Sequence, residues 1–287
     1  VSLPESDPGA LDAIDAVGST ALLVAAMRAA ETDRADRLFS DPFARALADE
    51  QGAAMLARAH ARGLHKVPLV EVRTRYLDDR LTDVSRAGVR QIVLLAAGMD
   101  ARAYRLDWPA TPVPTRLYEI DREPVLAWKS ARLQTSVPRC VRVALPADMA
   151  GEWPAALVGS GFRPEEPTAW VVEGLLVYLE ESDVRALLAR VNHLSAAGSH
   201  LLFDVPSRAL FESATSAAAV AAMAQRGSPW RFGTDEPAEL VSALGWTASV
   251  TLPAEYAAPF ERWPQPSSGG SSPRKLAHSF FVAATKS

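Results

Sequence analysis

The stretch from Gln91 to Asp121, QIVLLAAGMDARAYRLDWPATPVPTRLYEID, constrains the fold more than any other part of the chain. A short apolar run leads into a small-residue turn at Ala96–Gly98, and a second apolar run ends in Glu119 and Asp121 around Ile120. A run of about five residues rich in Ile, Val and Leu, bounded by turn residues, suits a strand buried on both faces. At the end of that strand Gly98, which has no Cβ, lets backbone come close to a ligand. An acid closing the next strand, about twenty residues on, is where nucleotide-binding α/β folds hold ribose hydroxyls. Together the two runs predict a site for an adenosine-bearing molecule across the ends of two adjacent parallel strands.

The turn itself discriminates between such molecules. A dinucleotide needs G-x-G-x-x-G so that its pyrophosphate can sit on a helix N-terminus. Here the loop is AAGMDARA, with one glycine and Asp100 directly behind it. A carboxylate at that place repels a pyrophosphate and attracts an ammonium or sulfonium group. This favours S-adenosyl-L-methionine over a nicotinamide dinucleotide. Neither a G-x-S-x-G nucleophile elbow nor a phosphate-binding P-loop occurs in the sequence.

Composition narrows the partners. A net charge of −4 over 287 residues gives no general attraction to nucleic acid or an anionic membrane. No apolar run reaches the roughly eighteen residues of a membrane span. One cysteine, Cys140, excludes an internal disulfide framework, and with the five histidines scattered no Cys/His metal cluster is expected. The start, VSLPESDPGALDAID, is acidic and lacks the basic-then-apolar order of a secretory signal, so a cytoplasmic location is expected.

Taken in order, residues 1–10 have the composition of a disordered end. Ile14–Ala30 reads as an alanine-rich helix with Ser19 or Thr20 as cap, and a second helix is expected to start at Ser40 or Asp41 with Pro42 in its first position. A third runs from about Pro68 to Ala87 and stops at Gly88. So much helix before the first strand suggests a cap over residues 1–87. Beyond the central stretch, strands are expected at Val141–Ala144, Ala169–Val172, HLLFDVPS, WTASVTL and HSFFVAAT. Helices are expected at EPVLAWKSARLQTS, EWPAALVGSGF, EESDVRALLARVNHLSAAGS and EPAELVSALGW. The alanine-rich insertion at about 206–234 reads as a helical lid, and PSSGGSSPRK as a polar hairpin tip joining the last two strands without a helix. The count is a doubly wound, seven-stranded α/β sheet with an antiparallel edge strand, forming a second region from 88 to 287.

Four strand ends carry small or acidic residues: Gly98/Asp100, Glu119/Asp121, Asp148 and Glu173/Gly174. In an open α/β sheet such ends converge on one crevice. Any one of these acids can instead be a solvated loop residue, and Asp148 can simply cap the next helix; their recurrence at successive strands points to a ligand. In VRTRYLDD, Arg75 and Asp79 have the spacing of a helix-surface pair, while Arg73 can present a two-pronged fork to a carboxylate. Arg102 and Tyr178 are candidates for the acceptor side of the pocket, Tyr178 being equally suited to the core.

The segments RTRYLDD, QIVLLAAGMDARAYRL, YEIDREPVLAWK and PADMAGEWPAALVGSGFRPEEPTAWVVEGLLVYL together resemble the leucine carboxyl methyltransferase family, in its broad bacterial branch. The resemblance covers nearly the whole chain and implies a class I methyltransferase sheet with an N-terminal helical cap and an inserted lid. It implies that Arg73 faces the cofactor carboxylate, and that Ala96 and Gly98 turn under the methionine part, with Ala96 where the family often has glycine. By the same likeness Asp121 holds the ribose, Asp148 and Met149 the adenine, and Glu173 the amino group. Arg28–Pro68 and Arg208–Phe232 do not match the eukaryotic enzymes that methylate a phosphatase C-terminus, so no acceptor carries over.

Methyl transfer from a sulfonium brings its own leaving group, S-adenosyl-L-homocysteine, so the protein must mainly align the reactants and exclude water. A carboxylate acceptor, on a small molecule or a peptide C-terminus, is already ionised at neutral pH. A hydroxyl acceptor needs a base, and no histidine is placed to supply one. Carboxyl O-methylation is the expected activity. A hydroxyl-directed transferase and a non-catalytic cofactor-binding protein are the alternatives.

Overall fold

The computed structural model describes residues 16–64, 67–225, 227–264 and 279–287. The predicted disordered start, the hairpin tip at PSSGGSSPRK, His65 and His278 lie outside the described residues. Seven strands form one sheet: β1 (Gln91–Leu95), β2 (Arg116–Asp121), β3 (Val141–Pro146), β4 (Thr168–Val172), β5 (His200–Pro206), β6 (Trp246–Thr251) and β7 (Ser279–Lys286). Their order is β3-β2-β1-β4-β5-β7-β6. Every residue of β1 and of β4 is buried, which is why both read as unbroken apolar runs. Strands β1 to β5 are mutually parallel, and β7 runs antiparallel to β5 and to β6. The antiparallel strand expected at the edge therefore sits one place in. Its Phe280, Phe281 and Val282 are buried and need a neighbour on each side, while the half-exposed β6 tolerates the edge.

The described helices are α1 (Ala16–Thr32), α2 (Ala44–Ala61), α3 (Leu69–Arg86), α4 (Arg102–Arg105), α5 (Glu123–Arg132), α6 (Trp153–Gly159), α7 (Glu181–His193), α8 (Arg208–Glu212), α9 (Ala214–Gln225), α10 (Glu239–Ser242) and α11 (Pro253–Ala257). Several boundaries differ from expectation. Ser19 and Thr20 lie within α1 rather than capping it. Helix α2 starts at Ala44, after a turn in which the Asp41 carboxylate accepts the Phe43 amide at 3.2 Å. Helix α7 ends at His193, and Gly198 turns the chain into β5 instead of closing the helix. The link from β6 to β7, expected to be helix-free, begins with α11 and a 3₁₀ turn at Ala258–Phe260, where Tyr256 packs edge-on to the buried Tyr76.

Side chains alternate across the sheet, so β1 feeds two cores. Ile92 and Leu94 join Leu22, Leu47, Tyr76 and Leu81 of α1–α3 on one face. Val93 and Leu95 join Trp153, Leu157, Leu187 and Val191 of α6 and α7 on the other. The N-terminal helices thus share a core with the sheet. The order in which strands are added reverses between β1 and β4, the switch point at which an open α/β sheet leaves a crevice beyond its strand ends.

Candidate functional site

A cavity of about 540 Å³ opens at the carboxyl ends of β1 to β5 and is lined also by α1, by α3 and by Leu210, Ala222, Met223 and Trp230 of the insertion. Its floor is the turn after β1. Ala96 there takes a positive φ of 52°, and Gly98 one of 50°. An added Cβ on Gly98 would meet the Ala21 Cβ at 3.1 Å, so glycine is needed both for the turn and for the close approach of α1. The Gly98 amide donates to Asp121 Oδ2 at 2.7 Å, and the Arg122 amide to Asp121 Oδ1 at 2.7 Å. Each oxygen keeps a second lone pair. Burial outweighs these two hydrogen bonds and lifts the Asp121 carboxyl above its ordinary value.

At the end of β4, Glu173 lies between two arginines. Arg73 Nε donates to its Oε1 at 3.0 Å and Arg102 Nη1 to its Oε2 at 2.7 Å. Burial would raise the Glu173 pKa, but Arg102, Arg73 and Arg28 hold it well below the carboxylate range. Arg73 reaches past it to Asp204 Oδ2 at 2.9 Å, and Asp204 Oδ1 accepts the Gly174 amide at 2.6 Å. Gly174 adopts φ +62°, and a Cβ there would stand 3.3 Å from the Arg73 guanidinium. After β3, Asp148 accepts the Ala150 amide at 2.8 Å in a tight turn and Met149 follows it, so Asp148 both shapes the loop and lines the cavity.

Of the ten residues given a cofactor or acceptor role from sequence, nine line this cavity: Arg73, Ala96, Gly98, Asp100, Asp121, Asp148, Met149, Glu173 and Tyr178; Glu119, also marked at a strand end, is instead buried against Lys129 and Arg142. Arg102 does not line the cavity. It is 1% exposed, and its Nε donates to Asp78 at 2.7 Å while Nη1 pairs with Asp100 and Glu173. Three carboxylates pull it under the β1 loop, away from the acceptor side. Asp100 in turn spends its oxygens on the Arg102 side chain and amide. Three charged lining residues were not anticipated: Arg28, Arg122 and Asp204. Asp204 lies two residues before the carboxyl end of β5, and the strand-end rule extended by one strand would have found it. Arg28 of α1 is 5% exposed, with Nη2 donating to the Met99 carbonyl and Nε 3.2 Å from Asp41. Its only signal was a lone cation in an alanine-rich run. Arg75 and Asp79 form the expected helix-surface pair at 2.9 Å.

Among the described residues no three His, Cys, Asp or Glu side chains group as a metal site, and no helix is long and apolar enough to cross a membrane.

A sequence model of the leucine carboxyl methyltransferase family matches residues 21–192. A protein of Frankia alni assigned as an S-adenosyl-L-methionine-dependent methyltransferase is 39% identical over 257 residues, covering 86% of this chain and 88% of its own. A Streptomyces avermitilis protein with the same assignment is 39% identical over 256 residues, with coverage of 86% and 88%. Among solved structures, a protein of Thermobifida fusca assigned as a methyltransferase superposes with a TM-score of 0.64 at 16% identity, covering 99% of this chain and 100% of its own. At that identity the likeness concerns the fold alone, which is the class I methyltransferase sheet. With the family match spanning more than half of its length, the chain belongs to the leucine carboxyl methyltransferase family.

Proposed function

We propose that this chain is an S-adenosyl-L-methionine-dependent O-methyltransferase whose acceptor atom is a carboxylate oxygen. One observation carries the reading: acids from the ends of β2, β3, β4 and β5 surround a single cavity at the sheet's switch point. That set of side chains fits the cofactor. Asp121 has lone pairs free for ribose hydroxyls, and Glu173, ionised far below neutral pH, suits an ammonium group. Arg73, with Nε and Nη1 held by Glu173 and Asp204, offers its Nη2 to the cofactor carboxylate, and Asp148 with Met149 are assigned to the adenine. The cofactor supplies a methyl carbon on a sulfonium and departs as S-adenosyl-L-homocysteine.

The residues then have three tasks. Asp121 and Glu173 fix the two ends of the cofactor, which sets the direction in which the methyl group points. The helices before β1 act as a cap, and the 206–234 segment as a lid, to keep water from the reacting atoms. No residue has to take a proton. The described lining residues include no His, Lys or Cys, and Asp100 and Glu173 are held ionised below their ordinary values. An acceptor already ionised at neutral pH suits such a site better than a hydroxyl.

Calorimetric titration tests the cofactor. S-adenosyl-L-methionine should bind the wild type while NAD does not, and Asp121→Ala should raise the Kd at least about 30-fold through loss of charged hydrogen bonds. Binding of NAD with similar affinity, or an Asp121→Ala variant that binds like wild type, would overturn the assignment.

A further inference from the structure

The cavity walls divide by chemistry. Every carboxylate on them, Asp100, Asp121, Asp148, Glu173 and Asp204, lies near the carboxyl end of a strand. The walls from α1, α3 and the insertion are different. From α1 and α3 come Leu23, Val24, Met27, Leu69 and Val70, and from the insertion come Leu210, Ala222, Met223 and Trp230. The two arginines on that side are already engaged, Arg28 by Asp41 and the Met99 carbonyl, Arg73 by Glu173 and Asp204. Resting on the cofactor assignment above, we infer that this apolar half is the acceptor chamber, and that it takes a compact hydrophobic carboxylic acid rather than a peptide C-terminus.

Three considerations carry this. The first is polarity: each peptide amide drawn between Leu69, Val70 and Met223 would lose its water without gaining a partner, whereas a hydrocarbon or aromatic body loses nothing there. The second is room. The whole cavity is about 540 Å³, within the range that holds one drug-sized ligand. With the cofactor in its strand-end half, the remainder suits a body of roughly one or two rings. The third is charge. An acid with an apolar tail brings one negative group, and the uncompensated positive charge facing the chamber is the sulfonium, so attraction brings the carboxylate to the methyl carbon while the tail fills the apolar wall. In the transfer, a carboxylate oxygen lone pair forms the new O–CH₃ bond, the S–CH₃ pair stays on sulfur, and no proton moves.

The test is binding of 1-naphthoate, acetate and a leucine-terminated hexapeptide to the full chain, with and without sinefungin, a non-transferring cofactor analogue whose amine keeps a positive charge where the sulfonium would be, alongside a separate titration of the cofactor. Naphthoate should bind the sinefungin complex at least about 30-fold tighter than acetate or the peptide. Met223→Glu should remove most of that preference and leave cofactor affinity unchanged, and Met223→Leu should keep both. Should the variants not fold, the wild-type ranking decides alone. Peptide binding as tight as naphthoate, or naphthoate no tighter than acetate, overturns the inference while cofactor binding still stands. Naphthoate binding without any cofactor binding would overturn the cofactor assignment and leave the apolar chamber.

Discussion

Replacing Arg102 by methionine should lower stability at pH 7 by about 3–5 kcal/mol, the range seen when one partner of a buried ion pair is removed. Arg102 is 1% exposed and is where Asp78, Asp100 and Glu173 meet. Asp78 would keep Arg105 at 2.6 Å and Glu173 would keep Arg73 at 3.0 Å, so Asp100 bears most of the change. Against a typical total of about 5–15 kcal/mol the loss is large, and Tm should fall by about 6–20 °C. The pH dependence has a definite sign. In the wild type burial pushes the Asp100 pKa up, but the Arg102 charge, with Lys129 and Arg28 behind it, more than reverses this. A carboxyl lowered in this way contributes stability above its unfolded value of about 3.9 and loses it as pH falls through the folded value. Without Arg102 burial prevails, so the penalty is complete at neutral pH and shrinks as the carboxyl takes up a proton. Urea unfolding at pH 7 and pH 5 should therefore show the gap between variant and wild type narrowing on acidification. Adding Asp100→Asn to Arg102→Met should restore part of the loss. A variant within about 1 kcal/mol of wild type at pH 7, or a gap that widens at pH 5, would refute the claim that Arg102 neutralises buried acids.

Two further outcomes are expected. Ala96 holds φ 52°, where an L-residue pays roughly 1–2 kcal/mol, while glycine's extra unfolded freedom takes back about 0.5–1 kcal/mol, so Ala96→Gly should be neutral or stabilising by up to about 1.5 kcal/mol in urea; a clear loss of stability would mean the methyl group packs usefully. Burial, aided by Glu119, raises the Cys140 thiol to about 12, so iodoacetamide at pH 8 should react with it about a thousandfold more slowly than with a free cysteine, and a rate within tenfold of a small thiol would contradict that environment.

Where sequence and structure agree, the cause is local. The apolar runs of β1 and β4 identify strands because a strand between two neighbours is buried on both faces, and the residue ending each strand lands in the crevice whatever else the chain does. Asp121, Glu173 and Gly98 were legible for that reason, and Asp204 follows the same rule at β5. Arg102 shows the limit. Its place near Gly98 in sequence made it a candidate acceptor contact, yet its side chain is claimed from below by Asp78 on α3 and Glu173 on β4. The position of β7 was likewise decided by burial of its phenylalanines rather than by its order in the chain.

What the sequence alone determined is a largely parallel seven-stranded sheet and four of the acids at its strand ends, because strand period and strand-end chemistry are written residue by residue. Only the tertiary structure decided which charges are available to a ligand and which are consumed within the protein. Arg73 finds its two acids 100 and 131 residues away, and Arg28 meets Met99 at a separation of 71. A buried cation takes whichever carboxylates or carbonyls the fold brings to it, since unpaired charge away from water is too costly to persist. That pairing follows from packing in three dimensions, and it leaves a cavity lined by acids from the strand ends and by apolar side chains from α1, α3 and the insertion.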